Sequence, residues 1–421
     1  RKNDLVDRIN SELSLTEANI LENSNLYGLE DLPNHIDQED LLDKKKQARE
    51  KLGSVNLKAN EETTKYEEEI TKMEQDRADL VTAITKLKES INELNQKKIQ
   101  TYEPEVEDLL RVSKNFRATT SNREVIDECD LIYTLVSTPS LDDGSYDVSA
   151  VWSVVEDFKD VTKKKYFVVG CTTNPGDCNL FQKQVPSNVR VLYNPEFIAQ
   201  GSIISDLKHA DMVLLGVDGD ESEIAKDIKD IYRKIQTSRA IVCTMSTKSA
   251  EITKIAVNCF LTTKISYANM LGDVLVKAGC GDEITAVLSS VGCDSRIGKK
   301  YLGWGLGYGG PCLPRDNRAF AHFAKSVGLE YNLGYVTDGF NNEHAKTMAD
   351  YWDSANSHNL PFYFEFISYK KGTDIITESQ QYRLALDLLD RGHKVYIQND
   401  RRVTSQVCDY LNETYGDNVR F

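Results

Sequence analysis

The 421-residue chain lacks several features that would fix its class at once. No run of about 18 apolar residues occurs, so no segment reads as a membrane-spanning helix. No signal peptide is present, and the chain opens at Arg1 in what reads as mid-element. It stops abruptly at Phe421, so both ends read as those of a fragment. There is no excess of basic residues. The 51 Lys and Arg stand against 66 Asp and Glu, for a net charge of -15 and a pI near 5.0. That argues against a nucleic-acid surface spread over the whole chain. Nine cysteines contain no C-x-x-C pair, and the odd count points to reduced thiols in a cytoplasmic setting. No metal site is expected. No G-x-x-x-x-G-K-[ST] loop occurs, so P-loop ATPase chemistry is not expected either. A strand leading into a G-x-G-x-x-G turn is also missing, the device that brings backbone N–H groups and a helix N-terminus to a pyrophosphate.

What is there has the length for two or three domains. Residues 1–98 are dense in Glu, Lys, Asp and Asn and contain no clear strand. Asp31-Leu-Pro-Asn34 reads as a break, and Asp40 to Ala48 as a short charged helix. From Tyr66, apolar residues recur at Ile70, Met73, Leu80, Ile84, Leu87, Ile91 and Leu94, with Arg77 at the one polar seam position. The alternating spacing of four and three predicts a coiled coil.

Residues 99–245 alternate short apolar runs with helical ones, which predicts a parallel α/β sheet. The expected strands lie at 130–136, 166–169, 190–192, 212–215 and 240–243, with helices at 148–158 and 221–235. Ligands bind such sheets at the carboxyl ends of strands. Thr138, Thr172 and Thr173 stand there, as cofactor contacts or as ordinary strand-ending residues. Glu196, in the turn Asn194-Pro-Glu-Phe197, reads as a surface acid or a general base.

In residues 246–345, Ser249 opens a helix running to about Ala278. Its apolar face is read as Ala256, Val257, Phe260, Leu261, Ile265, Ala268 and Leu271. Lys254 and Asn258, four apart, project together, either to stabilise an oxyanion or as a solvated face. The stretch GLGYGGPCLPRD, Gly305 to Asp316, crowds four glycines around Cys312. That cysteine is a nucleophile tuned by Asp316, or a small buried residue on a turn. Helix is expected at 319–324 and at 348–352. Residues 346–421 continue as β-α-β, with strands at 361–367 and 394–397 around a helix at 380–390.

Two resemblances follow. REKLGSVNLKANEE, Arg49 to Glu62, with the heptad run after it, resembles the returning coiled-coil arm of bacterial chromosome-partition SMC ATPases. In that family the stretch combines a helix break with a fixed apolar set, and a catalytic head follows. None follows here. From about residue 101 onward, five segments resemble the UDP-glucose/GDP-mannose dehydrogenase family in order: TYEPEVEDLL, NPEFIAQGSIISDL with ADMVLLG, SAEITKIAVNCFLTTKISYAN, GCDSRIGKKYL with GLGYGGPCLPRD, and SYKKGTDIITES. The DSRIG segment leans towards the UDP-glucose 6-dehydrogenases.

The resemblance implies NAD as cofactor, a nucleotide sugar such as UDP-glucose as substrate, and a homodimer or larger homo-oligomer. It implies two hydride transfers through a thiohemiacetal and a thioester on Cys312. Lys254 and Asn258 would support the oxyanion, Asp316 would move a proton with water, Glu196 would assist hydrolysis, and Thr138 would stand near that water. Phe197, Ile198, Tyr308, Gly309, Gly310 and Lys370 would line the sugar-nucleotide pocket, and Arg296 would reach it from a neighbouring subunit. The implied architecture is an incomplete Rossmann-like NAD domain at 99–245, a helical dimerisation domain with the cysteine at 246–345 and a partial Rossmann-like UDP-sugar domain at 346–421. The helical segment 1–98 precedes them. The family's first βαβ unit is replaced by that segment, Arg315 stands for the usual lysine, and Phe366 follows the third domain's first strand where glycine is usual. Neither resemblance accounts for the junction near Lys98 to Tyr102, which reads as a natural fusion or as a chimeric join of two reading frames. A catalytically dead, structural protein is the alternative to an enzyme.

Overall fold

A computed structural model describes residues 35–99, 103–199, 201–219, 222–398 and 405–421. The chain divides into one unit ending at Glu89 and a compact unit, Ser90–Phe421. The expected break at 31–34 lies outside the described residues.

Helix α1 spans His35–Asn95 without interruption. The backbone is therefore helical through 52–59, where the sequence suggested a break, and through the separate helix expected at 40–48. The single Gly53 costs a helix only about 1 kcal/mol, and no proline stands in this stretch to stop it. Seam residues Tyr66, Ile70, Met73, Leu80, Ile84 and Leu87 are all exposed. Within the compact unit, the Asn95 side chain holds the backbone of Ala118, donating to its O at 2.8 Å and accepting from its N at 2.7 Å.

Short helices α2 (Val106–Val112) and α3 (Asn122–Glu128) lead into a five-stranded sheet. Its elements run β1 (Leu131–Thr134), α4 (Ser149–Glu156), β2 (Lys165–Val169), α5 (Asp177–Gln184), β3 (Val189–Tyr193), α6 (Ile203–Lys208), β4 (Met212–Gly216), α7 (Ser222–Ile235) and β5 (Ile241–Met245). Strand order follows chain order. The β1–β2, β2–β3 and β4–β5 pairs are parallel. The sheet is not wholly parallel as expected: β3 meets β4 antiparallel through the single pair Tyr193–Gly216. The connection between them carries only the six-residue α6, which is a weak crossover. Both faces are covered. Phe167, Val169 and Val191 pack with Val151 and Val155 of α4 and Phe181 of α5. Val168, Leu192 and Leu215 pack with Ile224 and Ile228 of α7. Near-continuous apolar strands are what a two-sided sheet needs.

Helix α8 (Thr247–Lys277) starts two residues before Ser249, because Ser246 is the N-cap and its hydroxyl accepts from Ser249 N. Its buried side is not the apolar face read from the sequence. Phe260 is 66% exposed, while Glu251, Lys254, Thr262, Ser266 and Asn269 are buried. Small and polar residues let neighbouring helices come close; Phe260 faces out, Val257, Leu261 and Ile265 are half-buried, and of the face read from the sequence Ala268 and Leu271 do pack inward. Next come α9 (Ile284–Gly292), α10 (Leu313–Ser326) and α11 (Leu333–Ala355), the last two longer than the segments expected at 319–324 and 348–352. The remaining residues form a parallel three-stranded sheet, β6 (Phe362–Phe364), β7 (Val395–Ile397) and β8 (Val419–Arg420), with α12 (Gln380–Asp390) and α13 (Ser405–Tyr415). Strand β6 ends before Glu365, so Glu365 and Phe366 lie after it rather than within it.

At Gly272 of α8, an added Cβ would stand 2.0 Å from Cδ1 of Trp304. That indole packs edge-on against Tyr351 and donates to Asp273 Oδ1 at 3.0 Å. Gly272→Ala is therefore expected to destabilise the protein by about 1–3 kcal/mol through overpacking. Urea unfolding checks this, and an unchanged midpoint would contradict it.

Candidate functional site

Cys312 is the N-cap of α10, and its carbonyl accepts from Asp316 N at 2.8 Å. This first turn puts cysteine and aspartate together at the helix start. Cys312 is exposed, yet surrounding protein desolvates its thiolate and pushes its pKa up, as does the Asp316 charge. Arg315 and Lys254 oppose the rise. A resting thiol at this site therefore needs a base before it can attack.

Asp316 is 1% exposed. Its Oδ1 accepts from the Tyr146 hydroxyl at 2.8 Å and from Arg315 Nε at 3.1 Å, and its Oδ2 from Asn258 Nδ2 at 2.6 Å. Lys254 is buried on the same side of α8 as Asn258. Its Nζ donates to the Glu196 carbonyl and sits 4.2 Å from the centroid of the Phe197 ring. Burial pushes the Lys254 pKa down, and the charges of Asp316 and Cys312 partly restore it. A cation–π contact in such a desolvated place contributes about 2 kcal/mol. Glu196 is raised by burial against the opposing pull of Lys254, which moves it towards the range of a general base. Beneath it, Tyr133, pushed up to about 12 mainly by burial, and Tyr232 both donate to Asn194 Oδ1, at 3.2 and 2.9 Å.

The glycine stretch is held by its own protein. Gly305, Gly307 and Gly310 do repeat the G-x-G-x-x-G spacing, but no strand precedes them. A Cβ at Gly307 would lie 2.1 Å from Asn341 Oδ1, and one at Gly309 2.3 Å from the Glu378 carbonyl. These glycines admit neighbouring protein groups rather than a phosphate. Tyr308 is buried; its N donates to Asn341 Oδ1 at 2.9 Å, and its carbonyl accepts from Asn341 Nδ2 at 2.9 Å and Gln380 Nε2 at 3.2 Å. Gly310, at φ +85°, faces the Tyr369 ring.

The structure thus gathers Cys312, Lys254, Asn258, Asp316, Glu196 and Phe197. Thr138 joins through its carbonyl, which accepts from Arg315 NH1 at 3.4 Å. The threonines read as cofactor contacts have protein partners. Thr138 Oγ1 donates to the Thr172 carbonyl at 2.7 Å and Thr173 Oγ1 to Glu251 Oε1 at 3.0 Å. Among the described residues no sheet strand precedes β1, so the glycine-turn cradle for a pyrophosphate is not found there. Three other expected residues face outward: Ile198 and Lys370 are exposed, and Arg296 is bonded to Asp294 of its own turn. Sequence reasoning missed Tyr146, Glu251 and Tyr369. Buried Glu251 accepts from Gly176 N at 2.5 Å and Cys178 N at 2.9 Å at the start of α5, and its position three residues before Lys254 was the only hint. Among the described residues no cluster of His, Cys, Asp and Glu suits a metal ion, and no helix is long and apolar enough to cross a membrane.

Comparisons with known proteins place this geometry in context. The family model described as "UDP-glucose/GDP-mannose dehydrogenase family, NAD binding domain" matches residues 71–236, and the central-domain model of the same family matches 248–343. The first match reaches upstream of Tyr102 into α1. UDP-glucose 6-dehydrogenase AglM of Haloferax volcanii is 30% identical over 320 residues, covering 72% of this chain and 73% of the relative. The UDP-glucose 6-dehydrogenase of Rickettsia conorii is 27% identical over 321 residues, covering 74% and 73%. The solved UDP-glucose dehydrogenase of Pyrobaculum islandicum matches with a TM-score of 0.67 at 28% identity, over 78% of this chain and 77% of that one.

Since burial raises the Cys312 pKa, its alkylation by iodoacetamide is expected to have a pH midpoint above that of a free cysteine. Lys254→Met removes a nearby positive charge and should raise that midpoint further. Peptide-resolved mass spectrometry reads Cys312 apart from the other eight thiols, and a midpoint lowered by Lys254→Met would refute the assignment.

Proposed function

We propose, from the premise that this chain belongs to the UDP-glucose/GDP-mannose dehydrogenase family of NAD-dependent oxidoreductases, that Cys312 is the nucleophile that carries UDP-glucose to UDP-glucuronate. The observation that carries the reading is the convergence of Cys312, Asp316, Lys254 and Asn258 from two helices on one spot. NAD, when bound, accepts the hydride of each oxidation. The protein's own residues do the rest. Asp316 takes up the alcohol proton through water as the alcohol becomes an aldehyde. The Cys312 sulfur then bonds to the aldehyde carbon as its proton passes through water to the aldehyde oxygen, which lies against Lys254 and Asn258, and that hydroxyl proton leaves through water in the second oxidation. The sulfur keeps the aldehyde from escaping. After the second oxidation the carbon is a thioester. Glu196 draws a proton from the water that attacks it, the carbon–sulfur bond breaks, and Cys312 is regenerated with the carboxylate as product. Of the residues that the family assigns to the sugar-nucleotide side, Phe197 lies at the cluster; Ile198 and Lys370 face outward and Tyr308, Gly309 and Gly310 meet protein groups, so their role rests on the family alone, as does that of Arg296 towards a neighbouring subunit of a homo-oligomer.

We further infer that NAD is held weakly. Binding normally relies on backbone N–H groups and a helix N-terminus at a glycine turn. Here α1 stands in the sequence where that unit is expected, and the partners of Thr138 and Thr173 are protein groups. The exposed seam of α1 favours one added feature, a coiled-coil arm of SMC-like type joined to the dehydrogenase. A non-catalytic oligomer that binds nucleotide sugars is the second reading, favoured by the same missing turn.

With UDP-glucose and millimolar NAD, NADH formation is expected to stay well below about 1 per second, and UDP-glucuronate formation is expected to vanish in Cys312→Ala, which can still make the aldehyde. Turnover at or above that rate would refute weak NAD binding, and UDP-glucuronate formed by the alanine variant would refute the role of Cys312. Gel filtration should show assembly that disappears on deleting residues 1–89; an unchanged elution would count against the arm.

A further inference from the structure

We propose that Tyr146 is a positioning residue of the Cys312 site, holding the Asp316 carboxylate and the Arg315 guanidinium in one arrangement beside the cysteine. The inference rests on the role proposed above for Cys312. Tyr146 is 2% exposed and packs with Ile255 and Ala319. Its hydroxyl donates to Asp316 Oδ1 at 2.8 Å, the same oxygen that takes Arg315 Nε at 3.1 Å. The guanidinium carbon of Arg315 lies 5.2 Å from the centroid of the Tyr146 ring. One side chain thus fixes two charged neighbours, one through its hydroxyl and one through its π face.

The tyrosine is itself fixed. Its N donates to Asn174 Oδ1 at 2.8 Å, and its carbonyl accepts from Asn174 Nδ2 at 3.0 Å. Asn174 is held in turn by Asp177 Oδ2, at 2.9 Å from its N and 3.0 Å from its Nδ2. A buried tyrosine hydroxyl usually takes whatever acceptor is nearest. Here the acceptor is the carboxylate of the residue that shares the first helical turn with the cysteine, and the ring also carries Arg315. An arginine at this position has a planar, five-donor head with many possible orientations, and a ring beneath it selects one. The groups whose charges act on Cys312 are Lys254 from α8, Arg315 and Asp316 from α10, and Tyr369 from the segment after β6. Of these, the Asp316 carboxylate disfavours the Cys312 thiolate, while Arg315 and Lys254 favour it. Donors on the two oxygens of Asp316 spread its charge. Tyr146 supplies one of the three.

The test is the pH profile of Cys312 alkylation in the full chain, read by peptide mass spectrometry, with Cys280 and Cys293 as exposed internal references. Tyr146→Phe keeps the ring and removes only the hydroxyl. It is expected to raise the Cys312 midpoint and slow its alkylation at neutral pH about threefold, leaving both references unmoved. In an Asp316→Asn background the same substitution should add nothing. Asn174→Ala leaves every group on the carboxylate in place and frees the Tyr146 backbone, so it should shift the midpoint the same way by less. A Tyr146→Phe profile that superimposes on the parent overturns the proposal, as does an equal slowing in the Asp316→Asn background. If Tyr146→Phe does not fold, a superimposed Asn174→Ala profile overturns it. Alkylation needs neither NAD nor sugar. An inactive protein that shows the shift keeps this proposal and loses the catalytic one, and an active protein without the shift does the reverse.

Discussion

Asp316 is a carboxylate with almost no access to water, and a buried anion costs several kcal/mol unless donors replace its hydration. Its three side-chain donors come from separate parts of the chain: Tyr146 from the loop after β1, Asn258 from α8 and Arg315 from α10. Satisfying one residue therefore ties the sheet to two helices. Glu251 repeats the device one turn before Lys254, taking the free N–H groups at the start of α5 and the Thr173 hydroxyl. This explains why α8 buries a polar stripe and leaves Phe260 outside. Its inward face mixes small and apolar residues such as Ala250, Ile255 and Ala268 with the polar groups that hold charges in place.

The reactive centre inherits that stiffness. Asn341 and Gln380 hold the glycine loop, and the loop delivers Cys312 to the head of α10. Burial then works in opposite directions on neighbours. It raises the thiol and the Glu196 carboxyl and lowers the lysine. Each moves towards its neutral form, and Lys254 pulls both acids back as they hold up its own charge. An oxyanion formed here would meet a lysine already held among acids.

Much of this was legible in the sequence, and the exceptions share a cause. The strands of the sheet and α12 followed from apolar runs and their spacing, local signals that survive into the fold. The Lys254–Asn258 pair was legible as a spacing, but its burial was not, because burial depends on what packs against the helix. The apolar face of α8 was misread for the same reason: period tells which residues share a side, and only the neighbours decide which side is inside. Tyr146 left no trace at all. It lies 170 residues from the carboxylate it serves, in a loop where nothing in the order Gly-Ser-Tyr-Asp predicts a partner. The antiparallel β3–β4 pair was hidden because a crossover's length is visible in sequence while its direction is not.

The fold of the sheet does not depend on a phosphate-binding turn among the described residues. The sheet buries Ile126, Ile132, Phe158 and Phe167 around β1 and β2 without any strand before β1 among the described residues. Its stability therefore comes from packing between α4, α5, α7 and the strands, which a phosphate-binding turn does not supply. The Cys312 cluster is tied to the sheet through Tyr146, Thr138 and the Glu196 turn, all beyond the carboxyl ends of their strands, and through the start of α8, where Ala250 packs into the core of the sheet. The contacts that bring Asn258, Arg315 and Asp316 together beside Cys312 lie on α8 and the first turn of α10, and none of them depends on a strand before β1.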